Sequence, residues 1–106
     1  MTEIVVVATF RAKEGRVDEV IAGFTPVIEQ THQEPGCIAY ALHRDINDPE
    51  VLVLVERWAS QSDLDEHFQR PHMAAVGELA GELLAGPPTI TFGQSVPLGD
   101  ESKGTL

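Results

Sequence analysis

Residues 51–58 read Val-Leu-Val-Leu-Val-Glu-Arg-Trp, and the first five positions carry no polar side chain. A strand with one face in water alternates apolar and polar residues, so an unbroken Val/Leu run predicts a strand buried on both faces. A chain of 106 residues builds one core and has helices for one face of a sheet. The other face then needs a second sheet, and the simplest supplier is an identical subunit. Burial of this strand therefore predicts a homodimer.

Before that strand, Ile4 to Phe10 is a β-type run closed by Lys13-Glu14-Gly15, which reads as a strand and a turn. Val17, Val20, Ile21, Phe24 and Ile28 then recur at helical spacing, with Asp18 and Glu19 in the first turn where the helix dipole favours acids. Pro26 falls inside this pattern and predicts a bend. Glu34-Pro35-Gly36 ends the helix and releases an extended run, Cys37 to Asp45, which Asn47-Asp48-Pro49 turns back into the Val51 strand.

Beyond it, Ser60 with Asp63 is a weak capping box for a short helix holding Leu64 and Phe68. Pro71 opens another helix, whose apolar stripe is Met73, Val76, Leu79, Leu83 and Leu84 and which ends at Gly86-Pro87-Pro88. Thr89 to Phe92 is the last β-type run. The order strand, helix, strand, strand, helix pair, strand, joined by right-handed crossovers, predicts an α+β, ferredoxin-like βαββαβ unit with a four-stranded antiparallel sheet. The domain covers residues 1–96; residues 97–106 read as a flexible C-terminal tail, polar and free to drape onto a partner.

Seven Lys and Arg stand against seventeen Asp and Glu, a formal charge of -10, which repels phosphate backbones and anionic lipid and excludes nucleic acid as a partner. No apolar stretch approaches the roughly 20 residues of a membrane span, and no basic leader precedes the first strand. Cys37 is the single cysteine. It can form neither an intrachain disulfide nor a thiolate zinc cage, so a cytoplasmic location is expected.

Four histidines, His32, His43, His67 and His72, are the groups suited to proton transfer near neutral pH. His67 and His72 are five apart across Pro71, without HExxH or a carboxylate-His pattern, so no metal site is expected. His67, between Leu64 and Phe68, reads either as a core histidine on a backbone carbonyl or as a base at a pocket wall. His72 begins a helix, where the dipole favours the neutral ring, or is simply a surface residue. Glu56 shares a strand face with Leu52, Leu54 and Trp58. It reads as a salt-bridge partner of Arg44 or Arg57, or as a pocket carboxylate fixing a histidine tautomer. Trp58 and Tyr40 are core or pocket aromatics. Gly-rich phosphate loops and nucleophile elbows are absent from the sequence, so nucleotide and hydrolase readings lack support.

Glu34-Pro35-Gly36-Cys37, Tyr40, His43-Arg44-Asp45, Glu56-Arg57-Trp58, His67 and Pro71-His72-Met73 occur in an order and at spacings that resemble the antibiotic biosynthesis monooxygenase family, over about residues 3 to 93. Its quinol monooxygenases are the nearest resemblance around Glu56 to Met73. The resemblance implies a dimeric α+β barrel with a pocket between sheet and helices in each subunit. It also implies oxidation of a quinol or polyphenol by O2 with no metal or organic cofactor. His67, steadied by Glu56, would be base or proton relay, with His72 as a further catalytic histidine. Trp58, Tyr40 and Phe68 would wall an aromatic ring. The same resemblance extends to haem-degrading oxygenases, disfavoured because no histidine lies near Gly77. It extends as well to an isomerase of a phosphorylated signalling metabolite, weakened by the lack of a basic phosphate cluster. A binding protein without turnover stands as a third reading.

Overall fold

A computed structural model describes residues 2–106. The elements run β1 (Ile4–Arg11), α1 (Val17–Thr31), β2 (Cys37–Arg44), β3 (Val51–Trp58), α2 (Gln61–Phe68), α3 (His72–Leu83) and β4 (Thr89–Gly93). The strands form one sheet in the order β2-β3-β1-β4, antiparallel throughout. The fold is ferredoxin-like α+β, with the three helices on one face.

Period-two burial builds the core. Ile4, Val6, Ala8 and Phe10 of β1 and Leu52, Leu54, Glu56 and Trp58 of β3 point under the helices, where Val20, Phe24, Val27, Leu64 and Leu83 meet them. Within the single chain burial along β3 alternates: Val51, Val53 and Val55 are half-buried, on the face that the sequence assigns to a partner sheet. The helices cover one face of the sheet, and these valines lie on the other, beside Val5 and Val7 of β1. Residues 103–106 return to that open face and, with Gln94 and Ser95, border a shallow depression over Val5, Val7 and Thr91.

Local signals explain the helix ends. Ser60 Oγ accepts the Asp63 backbone N–H at 3.1 Å, the N-cap expected from the sequence. α1 continues through Pro26 to Thr31, and two β-turn-like bonds then lead out of it, Glu34 N–H to Thr31 O (3.0 Å) and Cys37 N–H to Glu34 O (3.1 Å). Gly36 in that turn lies directly against Asp63; a Cβ there would collide with the Asp63 side chain. The missing side chain lets the Glu34-Pro35-Gly36 turn press onto the start of α2.

Candidate active site

The turn after α1, helix α2 and the start of α3 converge on one carboxylate. Glu34 is buried, and its Oε2 lies 2.8 Å from His67 Nδ1 and 2.9 Å from His72 Nε2. A carboxylate oxygen offers only lone pairs, so both imidazoles donate to it. That commits Nδ1–H of His67 to Glu34 and leaves Nε2 as the ring's free acceptor. Thr31 Oγ1 lies 3.2 Å from the same His72 nitrogen. The Arg70 guanidinium approaches from outside, Nε at 3.5 Å from Glu34 Oε1, and is shared with Glu66 on α2 at 3.8 Å.

His67 is 1% exposed and lines an apolar cavity of about 100 Å³ between sheet and helices. Phe10, Phe24, Leu54, Val76 and Ile90 supply the greasy wall. The polar lining is Tyr40, Glu56 and His67, and Phe68 closes one side while standing half in solvent, edge-on to Phe92 with ring centroids 6.3 Å apart.

Three groups here titrate away from their ordinary values. Burial pushes the Glu56 carboxyl up to about 7; the Trp58 N–H on its Oε1 (2.9 Å) opposes this and the nearby Glu34 charge adds to it. Burial, followed by the hydrogen bond and charge of Glu34 acting the other way and by repulsion from His72 and Arg70, leaves His67 below 6.5. Burial and then the Glu56 and Glu34 charges raise the Tyr40 phenol, so it stays a hydroxyl donor. At neutral pH the cavity therefore presents a neutral imidazole and a carboxyl poised between its two forms.

Several expected contacts are placed differently. The carboxylate that orients His67 is Glu34, not Glu56. Two positions from Trp58 on the same strand face, Glu56 takes the indole N–H instead, and neither Arg44 nor Arg57 reaches it: they pair with Asp18 and Glu3. Trp58 is fully buried behind Glu56 and His67, its ring 4.5 Å from the imidazole, and is not part of the cavity lining. His72 faces Glu34 and a surface groove with Gln30, Gln33 and Arg70 rather than the cavity. Tyr40 and Phe68 do line the cavity. His32 bonds the Tyr40 carbonyl (2.9 Å), and His43 sits exposed on β2.

Glu34, His67 and His72 are also the group, among the described residues, that could hold a metal ion, their ligand atoms lying within 4.8 Å of one another. Protons between the three groups and the Arg70 cation satisfy much of the same charge. Cys37 is no nucleophile here; burial, then Glu34 and Glu56, push its thiol up to about 11.

The chain as a whole is similar to known proteins. A family profile described as antibiotic biosynthesis monooxygenase matches residues 3–79. Rv0793 of Mycobacterium tuberculosis is 34% identical over 88 residues, 83% of this chain and 86% of that protein. Its solved structure superposes with a TM-score of 0.80 at 31% identity, covering 93% and 98% of the two chains. The Escherichia coli K12 protein named "Probable quinol monooxygenase YgiN" is 29% identical over 92 residues, 76% of this chain and 88% of that one. An uncharacterized Synechocystis protein, sll1783, is 34% identical over 87 residues, 82% of this chain, and the match spans only 59% of its length. With most of its length, from the first strand through α2 into α3, matched in this way, the chain belongs to the antibiotic biosynthesis monooxygenase family.

Proposed function

We propose that the protein is a monooxygenase that hydroxylates a quinol or related polyphenol with O2, the substrate supplying the electrons. The observation that carries this reading is an apolar cavity whose wall holds a Glu34-oriented imidazole together with a buried carboxyl able to take a proton near neutral pH. Removing a phenolic proton makes the ring electron-rich enough to pass an electron to O2, and a dry wall protects the intermediates from water. His67 Nε2 takes one phenolic proton and Glu56 is placed to take the other. The balance is quinol plus O2 giving hydroxyquinone plus water: one oxygen atom enters the ring and the other leaves reduced. The name carried by the Escherichia coli relative supports the quinol class.

Tyr40 and Phe68 flank the ring in this reading, and Trp58 backs the two acid-base groups from behind. The volume of about 100 Å³ is below the ~150 Å³ that accommodates a benzene ring, so a substrate enters by displacing a wall side chain, and Phe68 and Ile90, both about half-exposed, are the large lining residues that border solvent. The lining holds no Lys or Arg, which leaves a phosphorylated isomerase substrate without a partner.

The catalytic unit is a homodimer in which Val53 and Val55 of each sheet pack face to face, with residues 103–106 lying between the sheets beside Val5 and Val7, and its lone, unreactive cysteine suits the cytoplasm. Light scattering is expected to give twice the chain mass, and Val53→Asp to give a single chain mass, since a buried unpaired carboxylate opposes association. The test of function is oxygen uptake with menadiol and related hydroquinones, corrected with heat-inactivated protein because quinols autoxidise. Protein-dependent uptake with a product one oxygen atom heavier than the quinone is expected. Thermal stabilisation by quinols without any uptake would instead mark a binding protein.

A further inference from the structure

We infer that Glu34, His67 and His72 form a site for one divalent transition-metal ion such as zinc, and that the bound ion switches off the cavity base by fixing the His67 proton on Nε2. The switch rests on the proposed role of His67; the ion site itself does not.

The donor set is two imidazoles and one carboxylate, which suits zinc and its neighbours in the first transition row. Glu34 Oε2, His67 Nδ1 and His72 Nε2 lie within 4.8 Å of one another; Glu34 and His67 are buried, and His72 stands at the edge of the groove. No helical ligand spacing announces the site, because the carboxylate comes from the turn after α1 and the two rings from α2 and α3. Hydrogen bonding already aims both ring nitrogens at Oε2, at 2.8 and 2.9 Å. Zinc at about 2.0–2.1 Å from tetrahedral donors spaces them about 3.3 Å apart, so the carboxylate and rings need move only about half an ångström. The other carboxylate oxygen, Oε1, is buried without a hydrogen-bond partner and is free to chelate the ion or to hold a metal-bound water. The groove bordered by Gln30, Gln33 and Arg70 supplies an entry path, and a chain of charge -10 draws cations toward it.

No proton has to leave for the ion to enter. A neutral imidazole carries one N–H, and moving it to the opposite ring nitrogen turns each donor to Glu34 into a lone pair for the metal. For His67 that relocated proton lies on Nε2, the nitrogen assigned to the phenolic proton, so the metal-bound ring donates where the free ring accepts. Arg70 is the resident competitor for the carboxylate, its guanidinium Nε 3.5 Å from Oε1. Its side chain is 39% exposed and also reaches Glu66, so it can swing outward when an ion arrives.

Calorimetric titration of the metal-stripped full chain with zinc chloride is expected to give one ion per chain. His72→Ala should weaken binding by about 100-fold or more, since loss of even an outer-shell partner costs about 10- to 100-fold. Arg70→Gln, which keeps all three ligands, should tighten binding several-fold by removing a competing cation. His43→Ala, a change at an exposed ring on β2, should leave it unchanged. Long-range ¹H–¹⁵N NMR at fixed pH should show the His67 proton passing from Nδ1 to Nε2 as zinc is added. In oxygen-uptake assays zinc should inhibit wild type. The half-inhibiting concentration, taken against each variant's own rate, should rise in His72→Ala and fall in Arg70→Gln. No binding, binding undiminished in His72→Ala, or binding no tighter in Arg70→Gln overturns the site. Bound zinc with the proton still on Nδ1, or with uptake unchanged or increased, overturns the switch. Absence of uptake by metal-free wild type would count against the proposed reaction and leave calorimetry and the NMR spectra to decide the ion site.

Discussion

Replacing His67 with alanine is expected to lower kcat/KM for an accepted quinol by about 10²-fold or more, the usual contribution of a positioned general base. The ring is 1% exposed, held by Glu34 at 2.8 Å and packed against Trp58, so its orientation is set before substrate arrives. Its acid limb follows from the same burial. With the His67 value depressed below 6.5, the neutral base predominates at pH 7, and its limb lies on the acid side of the one that Glu56 sets at about 7. His67→Ala should remove this limb along with the rate. His67→Gln, which fills much of the space without a proton-accepting nitrogen, separates lost chemistry from lost packing: it should be as slow as alanine yet more stable. Kinetics like those of wild type in both variants would remove His67 from the reaction.

The fold was legible because each element carries its own periodic signal. Val20 and Phe24 of α1, the Ser60 cap of α2 and the β-branched run of β1 all lie where spacing and turn chemistry place them. The β3 run shows how far such a signal reaches. Five aliphatic residues in a row describe both faces, yet burial within one chain alternates, because a helical layer covers one side only. A sequence window states what its residues need, and which part of the molecule meets that need is decided at long range.

The site was less legible for the same reason. His67, Glu56, Tyr40 and Phe68 announce themselves as chemistry-bearing residues on apolar faces, and the structure brings all four to one cavity. Glu34 did not, because Glu34-Pro35-Gly36 also reads as turn punctuation, and the carboxylate is 33 residues from His67. Its role depends on Gly36 lying flush with α2, a packing fact with no local signature. Two-residue spacing put Glu56 beside Trp58 just as firmly as it put it under the helices, and the indole N–H 2.9 Å away takes the oxygen that would otherwise reach for His67. Trp58 is likewise an aromatic whose size draws it fully inside, behind the cavity rather than into it.

Glu56→Gln is expected to stabilise the protein relative to wild type by an amount that grows with pH, by roughly 2 kcal/mol between pH 5 and pH 8. The Glu56 carboxyl rises from an ordinary 4.5 to about 7 on folding, chiefly through burial. Between those two values the folded chain holds a proton that the unfolded chain has released. The stability associated with the neutral acid is therefore complete below 4.5 and is lost as pH climbs through about 7. Glutamine is neutral at every pH and keeps an oxygen to accept the Trp58 N–H, so the variant should not show that part of the loss. Urea unfolding of both proteins at pH 5 and pH 8 measures the difference, in which the remaining groups cancel; equal shifts at the two pH values would mean that Glu56 is solvated enough to ionise normally. The same substitution cuts the other way in turnover. If Glu56 takes the second phenolic proton, the glutamine variant gives up rate for this stability, as expected where a buried ionisable group is kept for chemistry at a cost to the fold.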